Sequence, residues 1–315
     1  MDGHPVPDEI LLSQLKGLTH PRTRSGAVGT LLLLAPRVEP AQGPLFAPHI
    51  SELVTLLAEG SGPDAPDDPS VQANAAAVLA AAAALTDELH AAVDAAAADT
   101  LAGHLRACGE ASSSGGGKEG GGGGGGGSEG GAALPVNVLA AVAQLSRVEG
   151  EQPGRMLEAA RSSEGLAALL ALCGPAAHPA VAEGALDALC AVCCHDASRA
   201  PARAAGAVPA AARVVATSTE PGALVRALML LGMLAASSAE ARAQLVAAEE
   251  GRGAVRLFGL ARQNEDADCK AISRDLLAML TGDPNTRAGV EEAVRRAAEA
   301  AVAATAGGVP SGAAA

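Results

Sequence analysis

The string Cys190-Ala191-Val192-Cys193-Cys194-His195 places three thiols and an imidazole within six consecutive residues. Zinc takes such donors as thiolate and neutral ring nitrogen, and the string also approaches a covalent haem-attachment motif. Two features point to packing instead. A tetrahedral site needs a fourth ligand, no second Cys/His pair lies nearby in sequence, and on an α-helix His195 would point about 100° away from Cys194. Cys190 and Cys193 also stand beside Leu189 and Val192, and free cysteine is among the most buried residue types. The expectation is therefore core cysteines, with no metal and no cofactor.

Other chemistry-bearing patterns fail on context. The glycine tract contains G-x-G-x-x-G, and Gly117-Lys118 mimics the end of a phosphate loop, but no strand precedes either and Glu119 stands where Ser or Thr is needed. There is no nucleophile elbow, no zinc-protease helix and no pair of carboxylates in a shared apolar setting. The seven histidines are scattered at expected loops and helix ends, where histidines are usually solvated. The chain is read as a non-enzyme.

Bulk composition narrows the classes further. The 315 residues are 49% hydrophobic, yet Trp and Tyr are absent and Phe occurs twice, so the core must be built from Leu, Val and much Ala. Alanine lets helices approach closely and is the best helix former. No segment alternates apolar and polar residues with β-branched enrichment, so the expected class is all-α. A formal charge of −13 disfavours direct binding to nucleic acid or to an anionic membrane. The longest apolar run, residues 75–85, is too short to span a bilayer. Six cysteines without a disulfide-framework spacing, and no signal-peptide pattern, suggest a reducing compartment: the cytoplasm, with the nucleus also open.

The elements that position these residues repeat. Leu186, Leu189 and Val192 recur as Leu228, Leu231 and Leu234 at a constant offset of 42. The same ladder is present at Val28, Leu31 and Leu34, at Leu79, Ala82 and Leu85, at Leu139, Val142 and Leu145, and more loosely at Leu276 and Met279, giving six copies. Spacings from Val28 onward are 51, 60, 47, 42 and 45. A Pro/Asp/Gly loop over 59–69 accounts for the first long one. The second shrinks from 60 to 43 when residues 115–131, with 13 glycines among 17 residues, are set aside. Such a tract has no side chains to bury, so residues 111–131 are read as a disordered insertion within one array over 9–300, and 301–315 as a flexible tail.

Short helices are also expected at 88–98, 153–161, 199–205, 239–248 and 286–294, each linking one unit to the next. Gly206-Ala207-Val208-Pro209 and Gly251-Arg252-Gly253-Ala254-Val255 punctuate the starts of following helices. A period near 42 with three helices per unit predicts a right-handed armadillo-type α-solenoid of about six repeats. These residues resemble the armadillo-repeat family, whose unit reads roughly Gly-Ala-x-Pro-x-Leu-x-x-Leu-Leu. The local match is best from His195-Asp196-Ala197-Ser198 through Gly206-Ala207-Val208-Pro209, and looks like the armadillo region of plant U-box ubiquitin ligases and related plant or algal proteins. The resemblance covers about residues 9–294.

It implies that the ladder-bearing helices line a concave groove. Their polar residues Gln144, Arg147, Asp187, Arg226, Arg274 and Asp275 are then the candidate contacts, although each is also what the solvated side of an amphipathic helix would carry. The importin-alpha pattern of Trp and Asn ladders is missing. The expected function is a non-catalytic scaffold or adaptor that holds a peptide or helix of another protein. The alternative is a regulator: a substrate-recognition subunit of a ubiquitin ligase, or a nucleotide-exchange factor for a cytosolic heat-shock chaperone. The sequence has no U-box or RING, which argues against intrinsic ligase activity. It does not name the partner, nor the oligomeric state.

Overall fold

A computed structural model describes residues 5–60, 70–114, 130–147 and 153–306. Every regular element among them is helical, as the alanine-rich, β-poor composition requires. The chain divides into two compact units, Met1–Ala205 and Gly206–Ala315, and each is described in turn.

The first unit holds α1 (Asp8–Gly17), α2 (Arg24–Leu34), α3 (Ile50–Glu59), α4 (Ser70–Ala83), α5 (Asp87–Ser114), α6 (Gly130–Ser146), α7 (Arg155–Arg161), α8 (Ser163–Leu172), α9 (Pro179–Cys193) and α10 (Asp196–Ala204). Between α2 and α3 the chain runs through three short 3₁₀ turns, because Pro36, Pro40, Pro44 and Pro48 each withhold an N–H from an α-helical ladder. The ladder helices α2, α4, α6 and α9 pack in succession. Val28, Leu31, Leu79, Leu139, Val142, Leu186 and Leu189 are all buried there. Asn137 on α6 donates to the Ala73 carbonyl of α4 at 2.9 Å, a polar tie between successive ladders.

The second unit holds α11 (Ala207–Thr217), α12 (Pro221–Ala236), α13 (Ala239–Ala247), α14 (Arg252–Gln263), α15 (Ala267–Gly282) and α16 (Pro284–Ala306). Its ladder residues Leu228, Leu231 and Leu276 are buried, and α12 packs on α15. Gly206 and Gly251 stand at φ +97° and +86°. That left-handed conformation is cheap only for glycine, and it turns the chain into α11 and α14. The two glycines lie 45 residues apart and fix the register between the unit's two halves.

Two linking helices differ from expectation. The one expected at 88–98 is part of a single 28-residue helix, α5. Neither Gly nor Pro occurs between Asp87 and Ala102, so nothing breaks the helix where Gly206 and Gly251 break the other repeats. The one expected at 286–294 runs from Pro284 to Ala306, through alanine-rich sequence. Residues 111–114 close α5 and 130–131 open α6. The rest of the Gly-rich tract, 115–129, and the tail from 307 lie outside the described residues.

Helices meet closely where side chains are smallest. A Cβ on Gly109 of α5 would lie 2.7 Å from the Ala168 Cα of α8, so that crossing needs glycine. Polar groups bridge units of chain far apart in sequence. Asp94, 7% exposed, accepts from the backbone N–H groups of Arg155 at 2.7 Å and Met156 at 2.8 Å.

Candidate functional site

In each ladder helix the buried stripe leaves an opposite face, and the predicted contacts are distributed over it. On α6, Leu139, Val142 and Leu145 point inward, while Ala140 is exposed, Gln144 is half-buried and Arg147, just past the helix end, is exposed. On α9, Asp187 lies opposite the inward Leu186 and Leu189. The structure joins these two helices through an ion pair, with Arg147 Nη2 donating to Asp187 Oδ2 at 2.5 Å. With the side chains 47% and 27% exposed, the pair contributes up to about 1 kcal/mol. Its larger effect is positional, since it fixes two opposite charges beside Gln144.

In the second unit, Arg226 on α12 is half-buried and its Nη1 approaches the Gly222 carbonyl at 3.4 Å. Met229, one turn further on the same face, is 46% exposed. Arg274 on α15 is exposed, and its Nε donates to the Ala261 carbonyl of α14 at 3.2 Å. An offset of 45 carries Met229 onto Arg274 and Leu230 onto Asp275. The structure therefore groups Arg226, Met229 and Arg274 on corresponding faces. It places Asp275 on a different flank, the one that Leu230 buries on α12. Met229 is a large apolar residue standing off the 228, 231, 234 ladder, and its exposure adds an apolar element to a face otherwise marked by charge.

The cysteine-histidine string is divided by the fold. Cys190 and Cys193 are buried and Cys194 is exposed. The helix ends at Cys193, and His195 Nε2–H donates to the Ser146 carbonyl at the end of α6 at 2.8 Å. Burial pushes the Cys193 thiol up to about 12, only partly offset by Arg199, so it is a protonated thiol at neutral pH, neither nucleophile nor thiolate ligand. Among the described residues no three His, Cys, Asp or Glu side chains converge as a metal site.

Two histidines depart from the solvated pattern expected of them, while His20 and His178 are exposed. His90 is 6% exposed, and His104 Nε2–H donates to the Leu57 carbonyl of α3 at 2.9 Å. Both lie within α5, where the sequence suggested a shorter helix. No helix of the described residues is long and apolar enough to cross a membrane.

No protein-family model matches the chain, and no curated protein matches it in sequence. Solved structures do match in three dimensions. A designed armadillo-repeat protein aligns with a TM-score of 0.63 at 20% identity, over 86% of this chain and 99% of its own. Computationally designed armadillo-repeat proteins for modular peptide recognition align with 0.62 at 20%, over 85% and 99%. A designed armadillo-repeat protein in complex with the peptide (KR)4 aligns with 0.62 at 17%, over 85% and 98%. The chain accordingly has the armadillo-repeat fold, a helical solenoid architecture.

Proposed function

We propose that this protein is a non-catalytic scaffold that binds a peptide or helix of another protein on the outward faces of its ladder helices. The observation that carries the reading is the division of those helices into a buried aliphatic stripe and an opposite face bearing Gln144, Arg147 and Asp187 in one unit and Arg226, Met229 and Arg274 in the other. Support comes also from neighbours of the same fold that were built for peptide recognition or are complexed with a peptide. In such a face, alternating charged and apolar contacts select a sequence, while the fixed spacing of helices sets the stride between pockets.

Within this reading the contacts are Gln144, Arg147, Asp187, Arg226 and Arg274. Asp275 is set apart because its position corresponds to a stacking residue. A cytoplasmic or nuclear location belongs to the same proposal and rests on the sequence pattern, cysteine spacing above all.

The test is an array of extended peptides probed with the wild-type protein, with Asp187→Lys and with Arg226→Glu/Arg274→Glu. We expect each charge reversal to change which peptides are selected and to reduce affinity for the wild-type set by about tenfold per lost charged contact. Unchanged selection by both variants would sink the assignment of these faces.

A further inference from the structure

The 45-residue offset in the second unit allows one repeat to be compared with the next, position by position. Two opposite changes emerge. On α11 and α12, Ala207, Ala211, Ala223 and Leu230 are buried; their counterparts on α14 and α15 are Arg252, Arg256, Asp268 and Asp275, all exposed. Residues buried in α12 whose counterparts are bare in α15 must face α15, so these four charges occupy the flank on which a further repeat would stack. Ile272 and Met279 remain half-exposed among them. This is the polar outer surface that a capping repeat requires.

The second change runs the other way. Arg213, Gly232 and Glu249 become Phe258, Leu277 and Val294. These three, with Ala278, Thr281 and Val290, floor a cleft of about 490 Å³ between α14, α15 and α16, and Phe258 is 41% exposed. An unfinished stacking surface would be apolar at the stacking positions. Here those positions are charged, and the apolar residues stand where the preceding repeat is polar or bare.

Charge marks the cleft's edge. The Arg262 guanidinium lies 5.4 Å from the centroid of the Phe258 ring, and no carboxylate pairs with it among the described residues. Arg295 lines the cleft and is shared with Glu292 and Glu299; Glu291 also lines it. Of the arginines of α14, Arg252 pairs with Glu249 and lies with Arg256 on the stacking flank, which leaves Arg262 as the helix's charge beside the cleft.

We propose that this cleft docks an acidic amphipathic helix of a partner protein: apolar side chains at i, i+3, i+4 and i+7 seat on Phe258, Leu277 and Val294, and a carboxylate meets Arg262. A helix satisfies its own backbone groups and can present such a stripe to an apolar floor. A carboxylate supplies the counter-charge that Arg262 lacks, and a second copy stacked end-on would have to bury Arg256, Asp268 and Asp275. Leu277, Ala278 and Thr281 continue the α15 face that carries Arg274, so the cleft adjoins that ladder face; Phe258, Val294 and Arg262 lie on α14 and α16, and variants there test the cleft apart from the ladder-face charge reversals.

The experiment measures fluorescence anisotropy of a labelled synthetic peptide of about four helical turns, with Leu at those spacings and Glu and Ala elsewhere, against a twin carrying Lys for Glu. We expect saturable binding of the Glu peptide to the full chain, weakened by salt. Phe258→Asp or Val294→Asp should reduce it by at least about tenfold, Ile10→Asp, on an exposed apolar residue of α1, should leave it unchanged, and Arg262→Glu should shift preference toward the Lys twin. Circular dichroism verifies that the variants fold; if Phe258→Asp does not, Arg262→Glu decides alone. No binding, equal binding of both peptides, or binding indifferent to Phe258 and Arg262 would overturn the proposal. So would sedimentation showing self-association that Phe258→Asp abolishes, since the occupant would then be a second copy.

Discussion

The Asp94 carboxylate caps a helix that begins 61 residues later in sequence, accepting the Arg155 N–H at 2.7 Å and the neighbouring Met156 N–H at 2.8 Å. Both amides belong to the first turn of α7, whose N-cap residue, Gly154, has no side chain to cap with. Replacing Asp94 with Ala leaves two amides without a partner in a largely buried place. The expected loss is about 2 kcal/mol, at the upper end for a helix cap because the acceptor is charged and its environment is dry. Asp94→Asn, with one acceptor oxygen, should lose about half of that. Urea denaturation of the two variants checks the order; equal stability to wild type would mean that water replaces the carboxylate.

Close packing of α5 on α8 yields a second expectation. With its Cβ 2.7 Å from Ala168 Cα, Gly109→Ala cannot be accommodated by a side-chain rotation, and the helices must separate. We expect a loss of about 1–3 kcal/mol, as for other overpacked sites, despite the better helix propensity of Ala. A rise in melting temperature would show that the crossing is looser than the geometry requires.

Much of this fold was legible from spacing alone, and the failures have physical causes. Leu186, Leu189 and Val192 against Leu228, Leu231 and Leu234 could be read because a buried helical stripe must recur with the helical period. The expected end of a linking helix at Ala98 differs from the continuous α5 because no Gly or Pro stands between Asp87 and Ala102 to supply a break. Arg274 and Asp275 both stand off the core stripe of α15, which is all that one helix's periodicity can say of them. It does not say which flank the neighbouring helix covers; that needed the burial of Leu230. The pairings of Asp94 with Arg155 and His195 with Ser146 join positions 61 and 49 residues apart, a distance at which sequence carries no local signal.

The thiols should divide by accessibility. Cys194 is exposed, whereas Cys193 is buried and its thiol is raised to about 12. An alkylating reagent at pH 8 should modify Cys194 in a fast phase that Cys194→Ser removes, and should reach Cys193 only as the chain unfolds. Cys193→Ala should cost about 1–2 kcal/mol of packing without loss of helicity, at the low end of large-to-small core changes. Fast modification of Cys193 in folded protein would contradict its placement.

Acid should weaken the start of α16. The backbone N–H of Asn285 donates to Asp283 Oδ1 at 2.9 Å and, with the Arg242 guanidinium donating to Oδ2 at 2.9 Å, holds the carboxyl below the usual carboxylate range. A carboxyl whose folded value is depressed stabilises the fold above its unfolded value, near pH 4, and that contribution is lost as pH falls through the folded value. Asp283→Asn should therefore narrow the stability gap to wild type between pH 4 and pH 2. A gap that stays constant over this acid range would show that the carboxylate's charge is not what matters.

The exchange of Ala207, Ala211, Ala223 and Leu230 for Arg252, Arg256, Asp268 and Asp275 makes the outer flank of α14 and α15 a terminator of growth. A modular array whose last module matched its interior would present an adhesive terrace to every neighbouring molecule, and contacts of that heterologous kind propagate into fibres unless geometry closes them. Restoring the four interior residues at positions 252, 256, 268 and 275 should turn a dispersed protein into one whose light scattering climbs with concentration. If so, the same four side chains set how concentrated the protein can become before its copies stack end to end.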